Sequence, residues 1–227
     1  DGTGMSNISP PGTPQGLVFA TDVAYMAYTQ GSTGKIATSA LRKTASTNPL
    51  GLTYSGSSES LLGKPIGEAL WVLLDGSPSD IIAKIDPNTA ALVAGSNYPS
   101  SLNDVGYSDA PVSTGAGITY LDGYLYLVSN ESSAMGPSSF TIYKIKATDG
   151  STSSTFNLSD HNLHDDFGSI TNDGTNLLLF SKQSNWMFTV DPASGNIITS
   201  QEFMAMSSPA QGSKGAARRI GTQQVFT

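Results

Sequence analysis

Cysteine is absent from all 227 residues. Its absence excludes disulfides, thiol nucleophiles and cysteine-held zinc or iron–sulfur centres. Charge is scarce, at 13% of residues, and leans acidic: 18 Asp and Glu stand against 11 Lys and Arg, for a net charge of −7. An acidic chain is repelled by phosphate backbones and anionic lipid, so nucleic acid is not an expected partner. No run of eighteen apolar residues occurs, so no membrane insertion by a helix is expected. Histidine is nearly missing too, with two residues, both in one short segment. Glycine (24) and proline (12) are plentiful, as in a chain of short strands joined by turns. The opening Asp1-Gly2-Thr3-Gly4 carries no signal peptide, as in a mature secreted form or an excised domain.

One pattern recurs about every fifty residues. A glycine is followed, seven or eight residues later, by an apolar strand core. The copies begin at Gly16, Gly63, Gly117, Gly168 and Gly215, with gaps of 47, 54, 51 and 47 residues. The cores include Val23–Met26, Leu70–Leu73, Tyr124–Leu127, Leu177–Phe180 and Val225-Phe226. A period of this length built from short strands points to radially stacked sheets. The expected fold is all-β: one β-propeller domain over residues 1–227, of about five four-stranded blades, the last incomplete. The repeats lie near 16–62, 63–116, 117–167, 168–214 and 215–227.

The third copy shows the unit best. Gly117–Leu121 is a first strand, Asp122-Gly123 a hairpin turn and Tyr124–Ser129 a second strand. Phe140–Ala147 alternates apolar and polar residues as a third, and Ser153–Leu158 makes a weaker fourth. In the second copy the first strand is poor, because Pro65 interrupts it. Gly51–Tyr54 is taken as the fourth strand of the first copy. The fifth copy stops after two strands, either as a partial blade or as part of a longer protein. Its open sheet edge would be covered by oligomerisation or a neighbouring domain.

Two turns between third and fourth strands are alike, Ile85-Asp86-Pro87-Asn88-Thr89 and Val190-Asp191-Pro192-Ala193-Ser194-Gly195. Proline presets the turn, and the aspartate can accept from amides beyond it. This turn resembles that of quinoprotein-like and YVTN-type β-propellers, over copies two to four and loosely over copy one. The resemblance implies the fold. Its members include dehydrogenases, lyases, surface-layer proteins and binding scaffolds, so no activity follows. The repeated tryptophan motif of true quinoproteins is missing.

Loops entering first strands and joining second to third strands share one face of a propeller, where binding sites gather. The long ones here are 96–116, 129–139 and 159–167. Eight carboxylates and two lysines fall between residues 96 and 167, which is −6 of the net −7. Asp104, Tyr107, Asp109 and Glu131 on these loops are candidate ligand contacts. So is Arg218 on a first strand, which either binds an anion from the channel or pairs with a carboxylate.

The densest piece, Asp160-His161-Asn162-Leu163-His164-Asp165-Asp166, holds both histidines. Asp160, His161, His164, Asp165 and Asp166 form a candidate ligand set for a divalent cation: Zn²⁺ or Mn²⁺ with imidazole, Ca²⁺ with oxygens alone. The same groups could serve as acid and base, or simply cap turns in a solvated loop. Trp71 and Trp186 are expected in the core between blades. The inner strands offer few carboxylates, Glu68 and Asp122 being nearest, and no Gly-x-Ser-x-Gly elbow occurs.

The function expected is an extracellular or cell-surface binding module for protein or glycan. The alternative is a hydrolase or lyase of polysaccharides or esters, using the 159–167 loop.

Overall fold

Leu125, Leu127, Tyr143 and Ile145 alternate along their strands with Tyr126, Val128, Ile142 and Phe140, and both sets are buried. Side chains alternate across a strand, so this sheet is covered on both faces. That is why its second strand reads as an unbroken apolar run. The computed structural model describes residues 13–20, 23–30, 33–37, 42–45, 49–74, 80–87, 115–131, 139–158, 167–181, 186–202, 217–218 and 225–226.

Each sheet is an antiparallel meander. The first is β1 (Thr13–Ala20), β2 (Val23–Gln30), β3 (Thr33–Ala37) and β4 (Arg42–Ala45). The second contains β5 (Pro49–Ser55), with a small hairpin of β6 (Ser60–Leu61) and β7 (Lys64–Pro65) inserted before β8 (Ala69–Leu74) and β9 (Ile81–Ile85). The third is β10 (Gly115–Leu121), β11 (Tyr124–Glu131), β12 (Ser139–Lys146) and β13 (Thr152–Asn157). The fourth is β14 (Phe167–Asn172), β15 (Leu177–Ser181), β16 (Trp186–Val190) and β17 (Ile197–Glu202). The fifth pairs β18 (Ala217–Arg218) with β19 (Val225–Phe226).

The first strands meet in cyclic order. β1 touches β5, β5 touches β10, β10 touches β14, and β18 touches both β14 and β1. Sheets arranged radially around a ring of inner strands make a β-propeller, and the chain has this fold. The core is divided between blades. One cluster, with Trp71, Leu73, Ile82, Leu125 and Tyr143, fills the space between blades two and three. Another, with Tyr126, Phe140, Phe167, Leu179 and Phe188, fills the space between blades three and four.

The second repeat begins earlier than its glycine spacing suggests. Gly51–Tyr54 belongs to the innermost strand of blade two, paired with β8, and not to the edge of blade one. Arg42–Ala45 takes that edge position instead. Gly63 sits at the tip of the inserted hairpin, and Pro65 lies on that hairpin rather than on an inner strand. The physical reason is visible in the register. Every four-residue motif Gly51-Leu52-Thr53-Tyr54 or Gly117-Ile118-Thr119-Tyr120 follows a bulge at the same place, between Pro49 and Gly51 or between Gly115 and Gly117. Blade one has the bulge between Pro14 and Gly16. In blade four it falls between Phe167 and Ser169, so Ser169, and not Gly168, occupies the equivalent position.

Glycine is needed where inner strands touch. A Cβ on Gly51 would stand 2.9 Å from the backbone nitrogen of Ile118 and 3.1 Å from the Cα of Gly117. A Cβ on Gly117 would stand 3.1 Å from the nitrogen of Ile170. Contacts between equivalent residues show that β5, β10 and β14 run side by side in the same direction. Just beyond these glycines, Tyr120 N–H donates to Thr53 Oγ1 at 2.9 Å. Asn172 Nδ2 donates to Thr119 Oγ1 at 2.8 Å and to the Tyr120 carbonyl at 3.0 Å. Polar groups buried near the axis are thus satisfied from blade to blade.

Candidate functional site

The strand directions place two sets of connections at opposite ends of the ring. The first-to-second and third-to-fourth strand turns lie at one end. The starts of the first and third strands, and the ends of the second and fourth, lie at the other.

At the second end, the feet of the three long loops are joined. Gly115 pairs with Ser129, and Glu131 pairs with Ser139. Leu158 N–H donates to the Phe140 carbonyl at 2.7 Å, so the segment leaving β13 is fixed to the start of β12. The Phe140 and Phe167 rings then meet edge to face, 5.4 Å apart, which ties blade three to the start of blade four. Phe167 in turn meets Phe188 at 5.8 Å, and Phe188 stacks with Trp186 at 6.5 Å. Ser129 Oγ is buried here without a hydrogen-bond partner among the described residues. An unsatisfied buried hydroxyl is costly.

The candidate residues distribute unevenly. Glu131 is the last residue of β11, and Arg218 lies on β18 in register with Val225. Asp104, Tyr107, Asp109, Asp160, His161, His164, Asp165 and Asp166 lie outside the described residues. Among the described residues, no group of three His, Cys, Asp or Glu is placed to hold a metal ion. Trp71 is fully buried between blades, as expected. Trp186 departs from expectation, at 39% exposed. It begins its strand and stacks against Phe188.

The opposite end carries polar latches that the sequence did not announce. Lys144 donates to the Pro192 carbonyl at 3.1 Å and lies over the Tyr124 ring at 4.5 Å, joining blade three to the Asp-Pro turn of blade four. Burial lowers its pKa, against the pull of Asp191 and Asp122. Tyr126 OH also reaches the Pro192 carbonyl, at 3.4 Å, and burial pushes its pKa up. Within the turn, Asp191 accepts from Ser194 Oγ at 2.6 Å and from Ala193 N–H at 3.0 Å. These bonds hold its carboxyl below the ordinary range. Asp122, considered above as an inner-strand carboxylate, is in the left-handed first position of a two-residue turn. Glu68 is exposed and accepts from Tyr54 OH at 2.8 Å.

No family model matches this sequence, and no curated protein matches it. Solved structures do. Glutaminyl cyclase from Myxococcus xanthus superposes with a TM-score of 0.57 at 12% identity, over 95% of this chain and 84% of the cyclase. The WD40 domain of coronin from Toxoplasma gondii gives 0.48 at 11% identity, over 82% of this chain and 45% of that one. The β-propeller domain of Cps50 (Swd1) from Myceliophteria thermophila gives 0.47 at 13% identity, over 88% and 59%. The likeness is one of fold.

Proposed function

We propose that the protein is a binding module, secreted or displayed at the cell surface, that takes a protein or glycan at the loop-bearing end of blades three and four. The observation that carries this reading is the joining of the loop feet through Leu158, Phe140 and Phe167. A rigid base under three long acidic segments is what a recognition surface requires, because variable loops need a fixed frame. The cysteine-free, Ser-, Thr- and Gly-rich composition supports the location.

Within this proposal Asp104, Tyr107, Asp109, Glu131 and Arg218 contact the ligand. Asp160, His161, His164, Asp165 and Asp166 supply a divalent cation site, for Zn²⁺ if the imidazoles bind and Ca²⁺ if oxygens dominate. A second copy, or a neighbouring domain, along an open strand edge belongs to the same proposal. The fold likeness to a glutaminyl cyclase brings no activity with it.

Metal analysis of the purified chain, beside the His161→Ala/His164→Ala variant, tests the cation site. Loss of the bound metal in the variant is expected, and equal stoichiometry rejects the assignment. A glycan array and a screen of esters and polysaccharides follow. Turnover abolished by the double variant would replace the binding reading with a hydrolase or lyase.

A further inference from the structure

Building on the binding-module reading, on which this step rests, we propose that the partner is a basic protein segment and that Trp186 with Glu202 seats one of its arginine side chains. Trp186 opens β16 and Glu202 closes β17, both at the loop-bearing end, and the two stand directly opposite in register. Opposed residues of antiparallel strands project from the same face of the sheet, with Cβ atoms about 5 Å apart. Both side chains are exposed.

The seat has a fixed floor. Trp186 stacks on Phe188 with the ring planes 26° from parallel. Phe188 is buried and meets Phe167 edge to face, and Phe167 meets Phe140 of blade three in the same way. Leu158 belongs to the same buried cluster. The segment 159–166 therefore begins and ends on residues of the cluster that supports the indole.

Neither the Trp186 nor the Glu202 side chain makes a hydrogen bond or ion pair among the described residues. The face of an indole is electronegative and a carboxylate is anionic, so the two do not satisfy each other, whereas a cation between them satisfies both. Elsewhere the same cross-strand arrangement is closed within the chain. Lys84 stands opposite Trp71 and lies 5.1 Å from the centre of its ring. Lys144 stands opposite Tyr126 and lies 5.5 Å from that ring. Opposite Trp186 the position holds a carboxylate, so the chain leaves the cation to a partner.

Charge complementarity points to the same occupant. In sequence, the segments 159–166 and 182–185 and the end of β17 carry Asp160, Asp165, Asp166 and Glu202 against Lys182. Such an excess draws basic segments and speeds their encounter. Guanidinium suits the seat better than ammonium. It is planar and weakly hydrated, so it stacks on an aromatic face while its fork donates two N–H bonds to a carboxylate. A neutral sugar would stack on the indole but gain nothing from the surrounding charge, and an anionic ligand would be repelled.

The test titrates the full chain into fluorescein-labelled tetra-arginine, tetralysine and tetracitrulline peptides, read by anisotropy at low salt. Saturable binding of tetra-arginine is expected, tighter than tetralysine, with the uncharged citrulline peptide silent. Unlabelled tetra-arginine should change the indole emission, and since Trp71 is fully buried that change reports Trp186. Trp186→Ala should bind about tenfold more weakly. Glu202→Gln should bind about threefold more weakly. Asp173→Asn removes the same charge in the turn at the far end of the blade and should bind as the wild type does. Equal losses in Glu202→Gln and Asp173→Asn would mean that overall charge holds the peptide, and would overturn the proposal. Wild-type affinity in Trp186→Ala overturns it too, as does tetralysine binding as tightly as tetra-arginine. If Trp186→Ala fails to fold, Glu202→Lys decides: it must abolish binding, and retained binding overturns the seat. A glycan-array signal lost in Trp186→Ala, with no tetra-arginine binding, overturns the basic partner and leaves the binding module standing. Silence in both assays rejects the two together.

Discussion

The hydroxyl of Thr53 accepts the backbone N–H of Tyr120 at 2.9 Å, so a side chain on one inner strand satisfies a main-chain donor on the next. Both residues are buried. Replacing Thr53 by Val keeps the shape and strands that donor away from water. The expected cost is about 1–3 kcal/mol, read from urea unfolding, and Thr53→Ser should recover most of it. An unchanged midpoint for Thr53→Val would show that the amide finds another acceptor.

Gly51→Ala and Gly117→Ala test the contact between blades directly. Each added methyl meets backbone, which cannot swing aside as a side chain can. We expect a loss on the order of 1–3 kcal/mol for each, larger at Gly51, where the approach is tighter. Ser169→Ala, at the equivalent position of blade four where a Cβ is already present, should cost less. Circular dichroism melts of the three variants give the ranking.

Acid lability should be traceable to two turns. Asp191 and Asp149 both have carboxyls held below the ordinary carboxylate range, chiefly by hydrogen bonds from Ser194 and Ser151. A carboxyl with a lowered folded pKa contributes stability above its unfolded pKa and loses it as pH falls through the folded value. Stability should therefore decline with falling pH from about 4 downward. Asp191→Asn with Asp149→Asn should flatten that decline; an identical acid limb would remove these two from the account.

The two tryptophans should report separately. Trp71 is fully buried and donates to Ser55 Oγ at 2.9 Å, whereas Trp186 is 39% exposed. Acrylamide should quench one component of the emission and leave a blue-shifted remainder. Trp186→Phe should leave only the shielded component. Substantial quenching of that variant would place Trp71 nearer solvent than the structure does.

Much of the fold was legible in particular residues. Tyr124–Leu127 and Leu177–Phe180 announce strands buried on both faces, and Asp122-Gly123 announces a primed hairpin turn. The Asp-Pro turn at 191 is hydrogen-bonded as proline and aspartate dictate. The start of blade two was missed because spacing from Gly16 to Gly63 imitated the repeat. A signal was present: Gly51-Leu52-Thr53-Tyr54 parallels Gly117-Ile118-Thr119-Tyr120, with a bulge before each glycine. Weighing the whole motif above the single glycine would have separated the inserted hairpin.

The site was less legible. Acidic and histidine-rich loops attract notice by composition, but composition carries no distances, and only Glu131 and Arg218 of the candidates fall on described strands. The latches through Lys84, Lys144 and Tyr120 went unremarked because their partners are carbonyls and carboxylates remote in the chain.

The close contacts at Gly51 and Gly117 make blades two and three wedges whose thin edges are bare backbone where they meet the next blade. The taper of that edge sets the angle between neighbours, and the angle sets how many wedges complete a circle. The bore of the ring is therefore governed by the smallest side chains in it. A methyl at Gly51 or Gly117 would act as a shim, felt as a change of curvature by every blade beyond it.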